Sequence, residues 1–242
     1  SRNEAPTVTS GETLALVLGD QLTLSNPALD GAGAVLMIEA PGEATFVWSH
    51  KARIAVFLAA MRHFRDTLRE EGRTVHYVAL GDSAEETLEA RLAEALLRLG
   101  PSTLQVAEPG EWRLGRGIET VARSVQIDLR TVDDTHFLCS SADFGRWASR
   151  YTGSLRMEYF YREMRRRHGV LLTTDGDPIG GKWNYDAENR KGYPKSGPGA
   201  IPPPAFFAPD AITRQVIAEV ETRFADHPGS LDSFGWPVTR AQ

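Results

Sequence analysis

Two short runs of unbroken apolar residues constrain this chain more than any other feature. Leu14, Ala15, Leu16, Val17 and Leu18 form the first, ended by Gly19; residues 34–38 (Ala-Val-Leu-Met-Ile) form the second. A strand with one wet face alternates apolar and polar residues. A run without alternation is buried on both faces, as in a parallel sheet covered by helices on each side. Residues 75–80 and 103–106 read as a third and fourth strand, and residues 125–132 as a fifth.

Helical periods separate these strands. Ile54, Phe57, Leu58, Met61 and Leu68 fall on one helical face, with Ser49 or Thr45 as the expected cap and Gly72 as the stop. Residues 84–99 read as a second helix between Ser83 and Gly100. Strand–helix alternation with short links predicts an α/β fold: a Rossmann-like open, parallel five-stranded sheet with flanking helices over residues 13–133. Beyond residue 133 the pattern changes. Residues 141–151 and 157–168 read as helices, and Asp175-Gly176 marks a turn within 169–181. Residues 134–191 are expected as a helical and loop extension packing on the sheet domain. Residues 192–209, rich in Pro and Gly, read as a long linker, and residues 210–224 as a last amphipathic helix.

Composition narrows the classes. Of 242 residues 41% are hydrophobic and 24% charged, which excludes a disordered chain. No apolar run reaches the roughly 18–20 residues of a membrane span. The single cysteine, Cys139, excludes an internal disulfide and any cysteine-rich metal site built by this chain alone. A cytoplasmic location is the expectation. The net charge of −5 argues against coating nucleic acid with the whole surface but leaves room for a basic patch.

Candidate chemistry begins where the first strand ends. In open α/β sheets, ligands sit outside the carboxyl ends of the strands. Gly19, Asp20, Gln21 and Leu22 occupy that position, and Asp20 and Gln21 carry acceptors and an amide donor; a plain polar turn fits them as well. Glu43, after the second strand, reads either as a ligand anchor facing that loop or as a carboxylate at a helix start. Phe46 and Trp48 read as aromatic walls or as helix-entry packing. Gly176 to Lys182 matches seven positions of a P-loop, but Trp183 stands where Ser or Thr is required and no apolar helix follows, so that reading fails. Arg162, Arg165, Arg166, Arg167, Lys182, Arg190, Lys191 and Lys195 form a basic stretch with Tyr159, Phe160 and Tyr161 interleaved. That composition suits nucleic acid; ion pairs to Glu158 and Glu163, or docking on another domain, suit it too. The six histidines show no metal-ligand spacing.

Taken in order, several motifs carry a family resemblance. They are Leu16-Val-Leu-Gly-Asp-Gln-Leu22, Glu43-Ala-Thr-Phe-Val47, Ala60-Met-Arg-His-Phe64, Glu108-Pro-Gly-Glu-Trp-Arg113, Met157 to Arg166 and Gly180 to Arg190. Together they resemble the bacterial iron–sulfur branch of the photolyase/cryptochrome family, the deoxyribodipyrimidine photolyase-related proteins or prokaryotic (6-4) photolyases. The resemblance runs from about Leu14 to the last residue. It implies an N-terminal α/β antenna domain joined to a C-terminal helical domain that holds FAD and a cysteine-bound iron–sulfur cluster. It implies 6,7-dimethyl-8-ribityllumazine as antenna chromophore, lined by Gly19, Asp20, Gln21 and Leu22, anchored by Glu43, with Ile38, Phe46 and Phe57 nearby.

It further implies UV-damaged DNA as a partner, touched by Arg190, Lys191 and Lys195, in light-driven repair or in blue-light sensing. Residues 192–242 are then an interdomain linker, a helix and the opening of the helical domain. The rest of that domain, with FAD and the cluster, is expected to lie beyond this sequence, so the chain alone is not expected to repair DNA. Its apolar tail from Phe234 onward is expected to pack on that absent domain. Two other readings compete: a stand-alone flavodoxin-like or stress-protein-like nucleotide binder, and a small Rossmann-like hydrolase. No phosphate-cradling glycine loop supports the first, and no nucleophile–base pair supports the second.

Overall fold

The computed structural model describes residues 12–186 and 192–242. Five strands form one parallel sheet: β1 (Thr13–Leu16), β2 (Ala34–Ile38), β3 (Val75–Val78), β4 (Thr103–Ala107) and β5 (Asp128–Val132), in the order β3-β2-β1-β4-β5. Alternate residues of the apolar runs go to opposite faces. Leu14, Leu16 and Leu36 pack with α3 (Leu88–Leu99) and α4 (Trp112–Ser124). Ala15, Val17 and Met37 pack with Met61, Phe64 and Leu68 of α2 (Lys51–Glu70) and with the 3-10 turn Pro27–Leu29. Each fully buried Leu or Val contributes about 1.5–3 kcal/mol. Two-sided burial therefore explains why β1 and β2 read so clearly.

The helix starts differ from expectation. The cap of α2 is His50, whose Nδ1 accepts from the Ala52 N–H at 3.0 Å, in place of Ser49 or Thr45. The third helix starts at Leu88, capped by Thr87, four residues after the expected start. Residues 84–87 are held out of the helix by other bonds: the Glu86 carbonyl accepts from the Gly42 N–H at 2.8 Å, and the Glu85 carbonyl from Arg91 at 2.6 Å. A Cβ at Gly42 would lie 2.9 Å from the Glu86 carbonyl oxygen, so this approach requires glycine. Two helices without a sequence expectation appear, α4 and the short α1 (Pro41–Phe46).

The tail corrects the expected division of the chain. The last helix, α7 (Ala211–Arg223), packs along α2, and residues Ala205–Gln242 belong to the same compact unit as the sheet. Val216, Val220, Phe224, Leu231, Phe234 and Val238 form one buried cluster with Ala52, Ile54, Ala55 and Leu58. The apolar tail thus has its partner within this chain: α2 carries a second apolar face wide enough to receive it. Residues Thr135–Pro204 form a separate compact unit. It contains α5 (Ser141–Ala148) and α6 (Met157–His168), and Gly169 ends α6 in the left-handed conformation. The expected turn is present, with the Gly176 N–H bonded to the Thr173 carbonyl at 3.0 Å.

Candidate functional site

The strand order reverses its winding between β1 and β4. Side connections diverge there and leave a crevice outside the carboxyl ends of the strands. The crevice encloses about 220 Å³. The loop after β1 brings Gly19 and Asp20 to it. The segment after β2 brings Glu39 and Glu43, the segment after β4 brings Glu111, and α2 contributes Arg53, Phe57 and Met61. Gly19 leaves its side open: a Cβ there would meet Met61 Sδ at 3.1 Å and Phe57 Cδ1 at 3.4 Å.

Of the eight residues expected at the chromophore pocket, Gly19, Asp20, Ile38, Glu43 and Phe57 line this crevice. The other three are directed elsewhere. Gln21 is buried, and its amide Nε2 donates to the carbonyls of Ala107 and Glu108 at 3.2 and 3.1 Å, tying the first loop to the end of β4. Leu22 packs into the apolar cluster between the sheet and α2. Phe46 is exposed, and its ring lies 4.2 Å from the Arg113 guanidinium. That guanidinium forks onto Glu43 at 2.6 and 3.1 Å and also reaches Glu111 at 2.8 Å. The two carboxylates hold the Arg113 charge and push its pKa above the ordinary arginine range.

Sequence reasoning missed the charge network beneath the crevice. Glu39 is buried, and both its oxygens are saturated. Oε1 accepts from Arg62 Nε at 2.7 Å and the Tyr77 hydroxyl at 2.5 Å; Oε2 accepts from Arg62 Nη2 at 3.0 Å and the Leu80 N–H at 2.8 Å. Arg62 continues to Glu219 of α7 at 2.6 Å. Burial opposes the Arg62 charge, but Glu39 and Glu219 outweigh it and raise its pKa. Burial and the neighbouring Glu39 push the Tyr77 phenol up. Arg91, also buried, donates to the carbonyls of Glu39, Ala79, Leu80, Ser83 and Glu85 and so clamps the ends of β2 and β3. These partners are 23 to 157 positions apart for Arg62, beyond any local motif. The only signal was an arginine inside an apolar helical face.

Residues 15–236 match the deoxyribodipyrimidine photo-lyase-related protein family. The chain belongs to that family. It is 42% identical over 234 residues to a (6-4) photolyase of Agrobacterium fabrum (strain C58), a match that covers 94% of this chain and 45% of that protein. The chain thus spans about half the length of this curated relative. It is 26% identical over 140 residues to an uncharacterized protein of Acanthamoeba polyphaga mimivirus, covering 56% of this chain and 68% of that one. A bacterial class III photolyase from Agrobacterium tumefaciens aligns with 54% of this chain and 27% of its own length, at TM-score 0.38 and 10% identity.

For this family member the basic stretch resolves into distinct environments within the smaller unit. Arg162 pairs with Glu158 at 2.9 Å, and Arg167 with Asp143 at 3.1 Å. Glu163 pairs with Arg150 at 2.7 Å, not with its helix neighbours. Arg165 is buried and donates to the Val170 carbonyl, while Arg166 lies over Trp183 at 4.6 Å. Lys195 is exposed; Arg190 and Lys191 lie outside the described residues. Among the described residues no group of three or more His, Cys, Asp or Glu is arranged to hold a metal, and no helix is long and apolar enough to cross a membrane.

Proposed function

We propose that this chain is the antenna-bearing part of a photolyase-like flavoprotein that acts on, or senses light alongside, UV-damaged DNA. The observation that carries this reading is the crevice at the β1/β4 reversal, in a chain of this family. Its faces are apolar, with Ile38, Phe57 and Met61, and its rim is polar, with Asp20, Glu43 and Glu111. A flat ring system with a hydrogen-bonding edge, such as 6,7-dimethyl-8-ribityllumazine, suits such a lining. When bound, the ring would supply absorption of blue light for transfer to a flavin.

An iron–sulfur cluster does not fit the residues of this chain, because one cysteine cannot bind a cluster that takes several thiolates. In this proposal the cluster, the flavin and the electron transfer to a DNA lesion are supplied by a helical partner domain. The smaller unit is proposed as the face toward DNA. Between residues 135 and 204 the chain carries eleven Lys and Arg against seven Asp and Glu, inside a protein of net charge −5.

Titration with 6,7-dimethyl-8-ribityllumazine, followed by its fluorescence, tests the crevice. Saturable binding is expected, and Gly19→Val is expected to weaken it at least tenfold by filling the space beside Met61 and Phe57. Absence of saturable binding, or a Gly19→Val protein that binds as well as the parent, overturns the assignment.

A further inference from the structure

One wall of the crevice comes from far along the chain. Phe224, just past the end of α7, lines it together with Ile54 and Leu58 of α2 and Leu80 after β3. These four residues also belong to one buried cluster with Val216, Val220, Leu231, Phe234 and Val238 of the tail. The wall of the crevice and the core under the tail are therefore one packed group.

Polar contacts fix the register of the tail on α2. Lys51 Nζ donates to Glu221 and Arg62 to Glu219, each at 2.6 Å, and Asp210 lies 2.6 Å from His63. Beyond α7 the Pro228 carbonyl accepts from the Lys51 N–H at 2.9 Å. His227 Nδ1 donates to the Ser49 carbonyl at 2.8 Å while its ring stacks on Trp48. Ser49 itself lines the crevice. The tail holds these places after a long excursion of the chain. Residues Thr135–Pro204 form their own compact unit, so the tail reaches α2 by closing a loop of about 70 residues at an entropic cost. All five strands come from before residue 133, so the tail can leave while the sheet keeps its pairing.

We infer that the tail is a clasp on the crevice: docking of residues 205–242 and occupancy of the crevice form one linked equilibrium. The inference rests on the antenna reading and adds the regulation of that site. When the tail undocks, Phe224 leaves the wall, the Ser49 carbonyl loses His227, and Arg62 loses Glu219 beside the buried Glu39. A flat ring in the crevice gains its contact with Phe224 only in the docked state. A ligand that binds one of two states better shifts the chain toward that state, and docking raises its affinity by the same factor.

The test is hydrogen exchange on the full chain, with and without 6,7-dimethyl-8-ribityllumazine at 100 times its dissociation constant. Amides of Val216, Val220 and Phe224 report opening of the tail, and those of Leu14 and Leu16 in the central strand β1 report unfolding of the sheet. Without ligand, protection factors in the tail are expected to lie at least tenfold below those of β1. With ligand the tail amides are expected to slow tenfold or more, toward the limit of about 100-fold for an opened state that does not bind. Phe224→Ala, checked for folding by circular dichroism, is expected to bind at least tenfold more weakly; the exchange comparison uses the parent alone and stands if that variant does not fold. Three results overturn the clasp and leave the antenna assignment standing: tail amides that slow less than tenfold under ligand, tail and β1 protection within tenfold of each other without it, or a folded Phe224→Ala protein that binds as tightly as the parent. A parent chain without saturable binding overturns both.

Discussion

The two compact units of this chain are stabilised by different physics. The sheet unit buries three apolar clusters and a saturated charge network, and it holds nearly every buried residue. Among its described residues the unit Thr135–Pro204 buries only Trp147, Pro178 and, as its one charge, Arg165. Trp147 sits in an aromatic group with Phe144, Tyr151 and Phe160 at centroid separations of 4.9 to 5.6 Å. Around this group lie surface ion pairs, each worth about 0–1 kcal/mol. A scaffold that must hold a crevice to a fraction of an ångström needs the first kind of construction.

The comparison breaks most sharply at Arg62. Arg62→Ala leaves Glu39 buried without its counter-charge, and the expected loss is about 3–5 kcal/mol of global stability, read by urea unfolding. A loss under about 1 kcal/mol would show that water reaches Glu39 and that the network is not dry. Trp147→Ala should act locally. It removes the centre of the aromatic group, a loss of about 3–5 kcal/mol for a buried tryptophan, and the smaller unit has little reserve. Hydrogen exchange should rise across 135–204 while the main unfolding transition of the sheet unit stays in place. A shift of that main transition by more than about 1 kcal/mol would mean that the two units unfold as one.

How much was legible follows the same division. Strands β1 and β2 were readable because burial on both faces leaves the runs 14–18 and 34–38 without a polar residue. The edge strand β5 was placed three residues early, because its residues are half-exposed and carry no such mark. Helix α4 escaped because it buries only Ile118, Val121 and Ala122 and holds two glycines. Gly19, Asp20, Ile38 and Glu43 share one crevice because their places at or just after strand carboxyl ends put them there, while α2 brings Phe57 to it. Gln21 and Phe46 went elsewhere because their partners, the end of β4 and Arg113, are about 70 to 90 residues away. The tail misled for a physical reason: an apolar stretch announces that it will be covered, but not by what.

Asp210 gives the finest test of how the tail is fixed to the sheet unit. Its Oδ1 caps α7 by accepting from the Thr213 N–H at 2.8 Å, and its Oδ2 lies 2.6 Å from His63 Nε2 on α2. Burial pushes this carboxyl up, but the Thr213 N–H and His63 pull it further down, to about 2 from an ordinary 3.8. A carboxyl depressed in the folded state contributes stability that is fully present above its unfolded value and lost as pH falls through its folded value. Asp210→Asn keeps the cap, since asparagine serves as well at that position, and removes only the charge. The stability difference between parent and variant should therefore shrink as pH falls between 4 and 2. With a half-exposed side chain the effect is small, and thermal melts across that range should resolve it as a converging pair of curves. Parallel curves would mean that the carboxylate acts only as a cap, and that the tail is held by Val216, Val220 and Phe224 without help from charge.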